Sequence, residues 1–171
     1  MITPVHIYVQ TLSTLTLYAF LIFLAFTAVL YVTRNNVRLT KTIAAILLIV
    51  AIYGVLSYTV IGRMTSEEHT FVFATHNSES GREMFMNALL YYPLGLSLSV
   101  FLGPWSILVA FLSSVVIESW QYLSGTGLAQ GTDVVMNTLG AAIGALPFLI
   151  VREIVKRQKR QGRPKPKREK L

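Results

Sequence analysis

The apolar residues of this chain are gathered into five blocks of about 18–24 residues, each long enough to cross a hydrocarbon core of about 30 Å as an α-helix. Lipid offers backbone N–H and C=O groups no hydrogen-bond partners, so a spanning segment must satisfy them within a helix or a closed barrel. The blocks are continuous rather than alternating, which selects helices. The fold class is therefore an all-α, polytopic membrane helical bundle with about five transmembrane spans.

The first block runs from about Val9 to Val32 and stops at Arg34; the second runs from about Thr42 to Ile61 and stops at Arg63. The third begins near Met86 and ends at the Gly103-Pro104 break. The fourth covers about Trp105–Leu123 and the fifth about Asp133–Val151. Without a basic stretch before it or a small-residue cleavage pattern after it, the first block reads as a span, not a removable signal peptide.

Composition agrees. Of 171 residues, 53% are hydrophobic and 13% charged, about half the charged share of a soluble domain, and the mean hydropathy is +0.56. One membrane domain, residues 1–151, is followed by a basic tail, 152–171, expected to be disordered. Ten of the 15 Lys and Arg residues lie in that tail. It lacks the interleaved aromatics of a nucleic-acid arm, so no nucleic acid is expected; anionic lipid is the partner such a tail can take. The absence of cysteine excludes disulfides and thiolate chemistry and leaves the compartment open.

Charge also orients the chain in the cell membrane. Arg34, Arg38 and Lys41 join the first two blocks, and the basic tail follows the fifth. The positive-inside rule places both on the cytoplasmic face, with the N-terminus outside and the C-terminus cytoplasmic. The acidic loop Arg63–Glu83 and the turn SGTGLAQGT then face outward.

Against this background two carboxylates stand out, because ionisable groups within a span are expensive and mark functional sites. Glu118 lies in FLSSVVIESWQYL and Asp133 opens DVVMNTLGAAIG. At helical spacing Ser114, Glu118 and Gln121 share one face of the fourth span; Asp133, Asn137, Gly140 and Gly144 share one face of the fifth; Asn87, Tyr91 and Gly95 share one face of the third. The orientation puts the polar ends of all three stripes in the outer leaflet. Gly140 and Gly144 form a small-xxx-small pattern that admits a close neighbour.

Each residue also has a plainer reading. Glu118 can tie helices together through Gln121 or Asn137, and Asp133 can cap a helix N-terminus. Pro93 and Pro147 read as kinks. His69 and His76, seven apart, match no metal geometry, and His6 has no partner in the pattern, so no metal and no cofactor are expected.

Three segments together, NALLYYPLG from Asn87, IESWQYL around Glu118, and DVVMNTLGAAIG from Asp133, resemble the VanZ-like family of small bacterial and archaeal membrane proteins. The resemblance covers about 86–151. The chain departs from the family pattern at Gly127 and Gln130, where members often carry Arg and Asp. The resemblance implies a link to resistance against teicoplanin, a glycopeptide, and action on phosphate-linked head groups of lipids or polyprenyl carriers.

Two functions follow as expectations. The first is a membrane enzyme that hydrolyses or exchanges a head group on membrane lipids or lipid-linked envelope precursors. There Glu118 is the general base and Asp133 positions a metal or cationic group; Gln121 and Asn137 orient the substrate, and Asn87 bonds the leaving portion. The second is a non-catalytic protein that binds a lipid or antibiotic and alters access to the envelope. A transporter or a purely structural subunit is the third class. It is disfavoured by the absence of an inverted repeat.

Overall fold

Local chemistry at the end of each apolar block decides where its helix starts and stops. The computed structural model describes residues 21, 24–25, 27–29, 31–61, 70–73, 80–126 and 128–161. Most of the first expected span, His6, His69, His76, Gly127 and residues 162–171 lie outside the described residues. Helical residues among 21–33 belong to α1. They are followed by α2 (Val37–Thr59), α3 (Ser80–Leu102), α4 (Trp105–Ser124) and α5 (Gly131–Gln161). Two short strands, β1 (Phe71–Val72) and β2 (Ala129–Gln130), complete the order. Each of α2 to α5 is long and apolar enough to cross a membrane, so the chain is an all-α, multi-pass membrane protein.

Three boundaries differ from the hydropathy reading. The second helix begins at Val37, ahead of Thr42, because Asn36 Oδ1 accepts the Leu39 N–H (3.2 Å) and caps it inside the basic loop. The third begins at Ser80, ahead of Met86, with Glu83 in its first turn, where the helix dipole favours a carboxylate. The fifth continues past Val151 to Gln161. Residues 152–161 are therefore helical rather than disordered as the tail expectation had it. No Gly or Pro interrupts them before Gly162, so extending an existing helix costs no new nucleus. Glu153 and Arg157 also meet one turn apart (3.4 Å). The two sharp reversals use glycine in the left-handed region, Gly103 (φ 61°) before α4 and Gly125 (φ 62°) after it; the Gly125 N–H closes α4 on the Gln121 carbonyl.

Large apolar side chains point outward along the helices, among them Ile49, Tyr53, Trp105, Val116 and Ile143. Small residues fill the centre: Ala44, Ala51, Ala110, Ala141 and Ala145, with Ser97, Ser99, Ser106 and Ser114. This arrangement suits a lipid solvent, in which Leu gains little by leaving the surface and close helix packing does the work. The buried hydroxyls of Ser97 and Ser99 donate to carbonyls of their own helix (2.7 Å each). Both α3 and α5 run unbroken through Pro93 and Pro147.

The closest approach is between α3 and α5. A Cβ at Gly140 would fall on the Ala88 carbonyl oxygen, one at Gly144 on that of Tyr92, and one at Gly95 on that of Ala141. Nothing but glycine fits, and the pair is locked at a fixed height. That height sets the register of the polar residues beside it.

Candidate functional site

Four helix ends meet at one end of the bundle: the C-termini of α2 and α4 and the N-termini of α3 and α5. There β1 pairs in parallel with β2, Phe71 opposite Ala129 and Val72 opposite Gln130. The Ala129 N–H donates to the Thr70 carbonyl (3.3 Å) and the Thr132 N–H to the Phe73 carbonyl (2.9 Å). Residues 70–73 thus form a strap tied to the turn that starts α5.

Glu118 lies under that strap, 7% exposed. Its Oε2 accepts the Gln130 N–H at 2.8 Å. A strand N–H and a buried carboxylate satisfy each other, and a hydrogen bond to a charged group contributes about 1.5–3 kcal/mol. The partner expected from spacing was Gln121 or Asn137. The structure gives Glu118 the backbone N–H of Gln130, because the turn brings β2 across the end of α4, while the amides of Gln121 and Asn137 donate to Thr59 and Ser114.

Gln121 is engaged elsewhere. Its Nε2 donates to the Thr59 carbonyl at 2.9 Å, one of the last carbonyls of α2, which no helical N–H can reach. The side chain is buried and fastens α4 to α2. Asn137, 3% exposed, donates from Nδ2 to Ser114 Oγ at 2.8 Å, which fastens α5 to α4. Tyr91 of α3 is fully buried, its hydroxyl near Ser113 and Ser114 without hydrogen-bond geometry to either. Among the described residues, Asn137 Oδ1 and the Tyr91 hydroxyl are buried without a hydrogen-bond partner. Such groups cost free energy unless something else engages them.

Asn87 is buried on α3, and among the described residues no hydrogen bond joins it to the other four candidates. Asp133 is half-buried in the first turn of α5. The helix begins two residues earlier, at Gly131, so Asp133 is its third residue rather than its opening one. The position still suits a carboxylate facing the positive end of the dipole. The three polar stripes thus reach one region, but as a layered arrangement: Glu118 in front, with Asn137, Ser114 and Tyr91 deeper between the helices.

In front of Glu118 is a laterally open groove of about 670 Å³ between α4 and α5. Phe71 and Phe73 of the strap, Phe111 and Val115 of α4, and Val134 of α5 form its walls. Glu118 is the one candidate of the five that lines it. Sequence reading missed this groove and Thr59, and named Gln130 as a departure from the family pattern without its bond to Glu118. The aromatic alternation FVF at 71–73, inside an otherwise polar acidic loop, was the available sign. Among the described residues no group of three or more His, Cys, Asp or Glu is placed to hold a metal ion.

The geometry offers a carboxylate at the edge of an apolar groove, backed by hydrogen-bonding groups. A family model described as VanZ/LLP1 matches residues 11–152. That stretch reaches far beyond 86–151, where the polar motifs stand, and takes in α2, whose end Gln121 secures. No curated protein and no solved structure matches the chain.

Proposed function

The chain belongs to the VanZ/LLP1 family, and from that premise we propose that it hydrolyses or exchanges the polar head group of a membrane lipid or polyprenyl-linked envelope precursor. In this reading the family's link to glycopeptide resistance reflects an altered precursor or lipid at the outer leaflet. The observation that carries it is Glu118, a buried carboxylate on the wall of a groove that is otherwise aromatic and aliphatic and opens sideways. A lipid chain fits such walls, and its head group then lies beside the carboxylate.

Glu118 acts as general base. It takes the proton from water or an incoming hydroxyl as that oxygen attacks the head-group linkage, and returns it to the departing oxygen. Held by the Gln130 N–H, the carboxylate keeps one orientation. Asn137 and Tyr91 lie deeper between the helices, behind the carboxylate. Gln121 serves as a positioning residue through α2, and Asp133 faces a cationic part of the substrate.

The test is Glu118→Gln at matched expression, with lipid and envelope-precursor profiles compared among wild type, variant and null strain. Glutamine still accepts the Gln130 N–H, so the fold persists while the base is lost. A fall in turnover by about 10²–10⁴, the usual share of a general base, is expected. A Glu118→Gln profile equal to wild type overturns the catalytic role.

The Gln130 bond also favours a second reading, in which Glu118 is a structural tie and the groove only binds a lipid or antibiotic. That reading expects saturable binding without turnover, and Glu118→Gln retaining most of it.

A further inference from the structure

A second cavity lies at the opposite end of the bundle, enclosed by α1, α3 and α5, with a volume of about 300 Å³. Its α1 wall is a single stripe: Leu24, Thr27, Ala28, Tyr31 and Arg34 follow the 3–4 spacing of one helix face. From Leu24 to Arg34 the stripe extends about 15 Å at 1.5 Å per residue. Across it, α5 contributes Pro147, Phe148 and Val151. Deep in the bundle Thr27 Oγ1 and the Tyr92 hydroxyl satisfy each other at 2.9 Å. The wall is apolar from there to its mouth.

The mouth is cationic. The Arg34 guanidinium stacks on the Tyr31 ring (4.0 Å to its centre) and donates one Nη1–H to the Tyr31 carbonyl (2.8 Å). Stacking fixes the plane of the fork, and one bond uses one of its five N–H donors. Arg152 is exposed at the same end, its guanidinium against Gly103 in the α3–α4 turn. Arg38, Lys41, Lys156 and Arg157 stand on the adjoining helix ends, and Glu153, the acidic residue among them, is held by Arg157.

We propose that this cavity is a binding site for an anionic phospholipid, with an acyl chain along the Leu24–Arg34 stripe and the phosphate on Arg34. Charge complementarity selects the occupant: an apolar slot closed by a planar, pre-oriented guanidinium matches a chain that ends in a phosphate, which Arg binds bidentately. A zwitterionic lipid fills the slot equally well but brings a cation to an end of the bundle already rich in cations. The site is separate from the Glu118 groove and does not depend on the function proposed for it.

Native mass spectrometry of the full chain in detergent, titrated with phosphatidylglycerol or phosphatidylcholine, measures this directly. Phosphatidylglycerol is expected to bind more tightly. Arg34→Gln should weaken it about tenfold, the size of one lost charge-assisted hydrogen bond, and narrow its advantage over phosphatidylcholine. Ala28→Trp, which fills the slot on the exposed side of α1, should weaken phosphatidylglycerol while circular dichroism shows the helices intact. Gly81→Ala, which lines neither cavity and where an added Cβ meets nothing, should leave phosphatidylglycerol binding as it is. Equal binding of the two lipids, or an Arg34→Gln protein that binds phosphatidylglycerol like wild type, overturns the proposal. So does competition by glycerol phosphate at matched concentration, since that assigns the site to a soluble phosphate.

Discussion

At the scale of single residues, the polar groups of this bundle divide by what they touch. Gln121 and Asn137 bond across helices, whereas Glu118 meets a backbone N–H and also borders a groove. Substitutions separate these roles. Glu118→Leu strands the Gln130 N–H and should lower stability by about 1–3 kcal/mol, whereas Glu118→Gln should cost little; thermal unfolding in detergent distinguishes them. Gln121→Leu strands the Thr59 carbonyl and should fall in the same range. A Gln121→Leu protein as stable as wild type removes the assigned tie to α2. Their importance was legible in the sequence, because amides and carboxylates are rare and costly in apolar spans. Their partners were not: Thr59 is 62 residues from Gln121, and no periodicity along one helix points across to another.

At the scale of elements, the α3–α5 contact determines whether those residues share a depth. Leucine at Gly140 or Gly144 would drive a side chain into the Ala88 or Tyr92 carbonyl. Either variant should abolish a monodisperse peak in size-exclusion chromatography. Gly81→Ala, where an added Cβ meets nothing, should leave the peak unchanged and stabilise by about 0.4–1 kcal/mol. The small-xxx-small spacing of 140 and 144 announced a close neighbour, and α3 is that neighbour. Hydropathy located the helices but not their true ends, since capping by Asn36 and continuation through Arg152–Gln161 depend on polar residues that hydropathy counts as outside. The β1–β2 strap escaped detection because two-residue strands carry no period.

At the scale of the whole molecule, the bundle has a strap-and-carboxylate end and a cationic end. We propose, from the positive-inside rule applied to the basic loop and tail, that the cationic end faces the cytoplasm. The absence of cysteine makes this testable: Thr126→Cys should react with a membrane-impermeant maleimide on intact cells, and Lys156→Cys only after permeabilisation. The reverse pattern would move the Glu118 groove to the inner face and exclude an outer-leaflet substrate. By itself the sequence determined the class of the protein, a helical membrane bundle, because block length and unsatisfied backbone in lipid leave no other solution. It also singled out the costly polar residues. Only the tertiary structure decided that Glu118 bonds to Gln130, that Gln121 secures α2, and that apolar cavities open at both ends of the bundle. Those facts depend on how helices dock and turns fold back, and contacts between residues distant in the chain leave no local mark upon it.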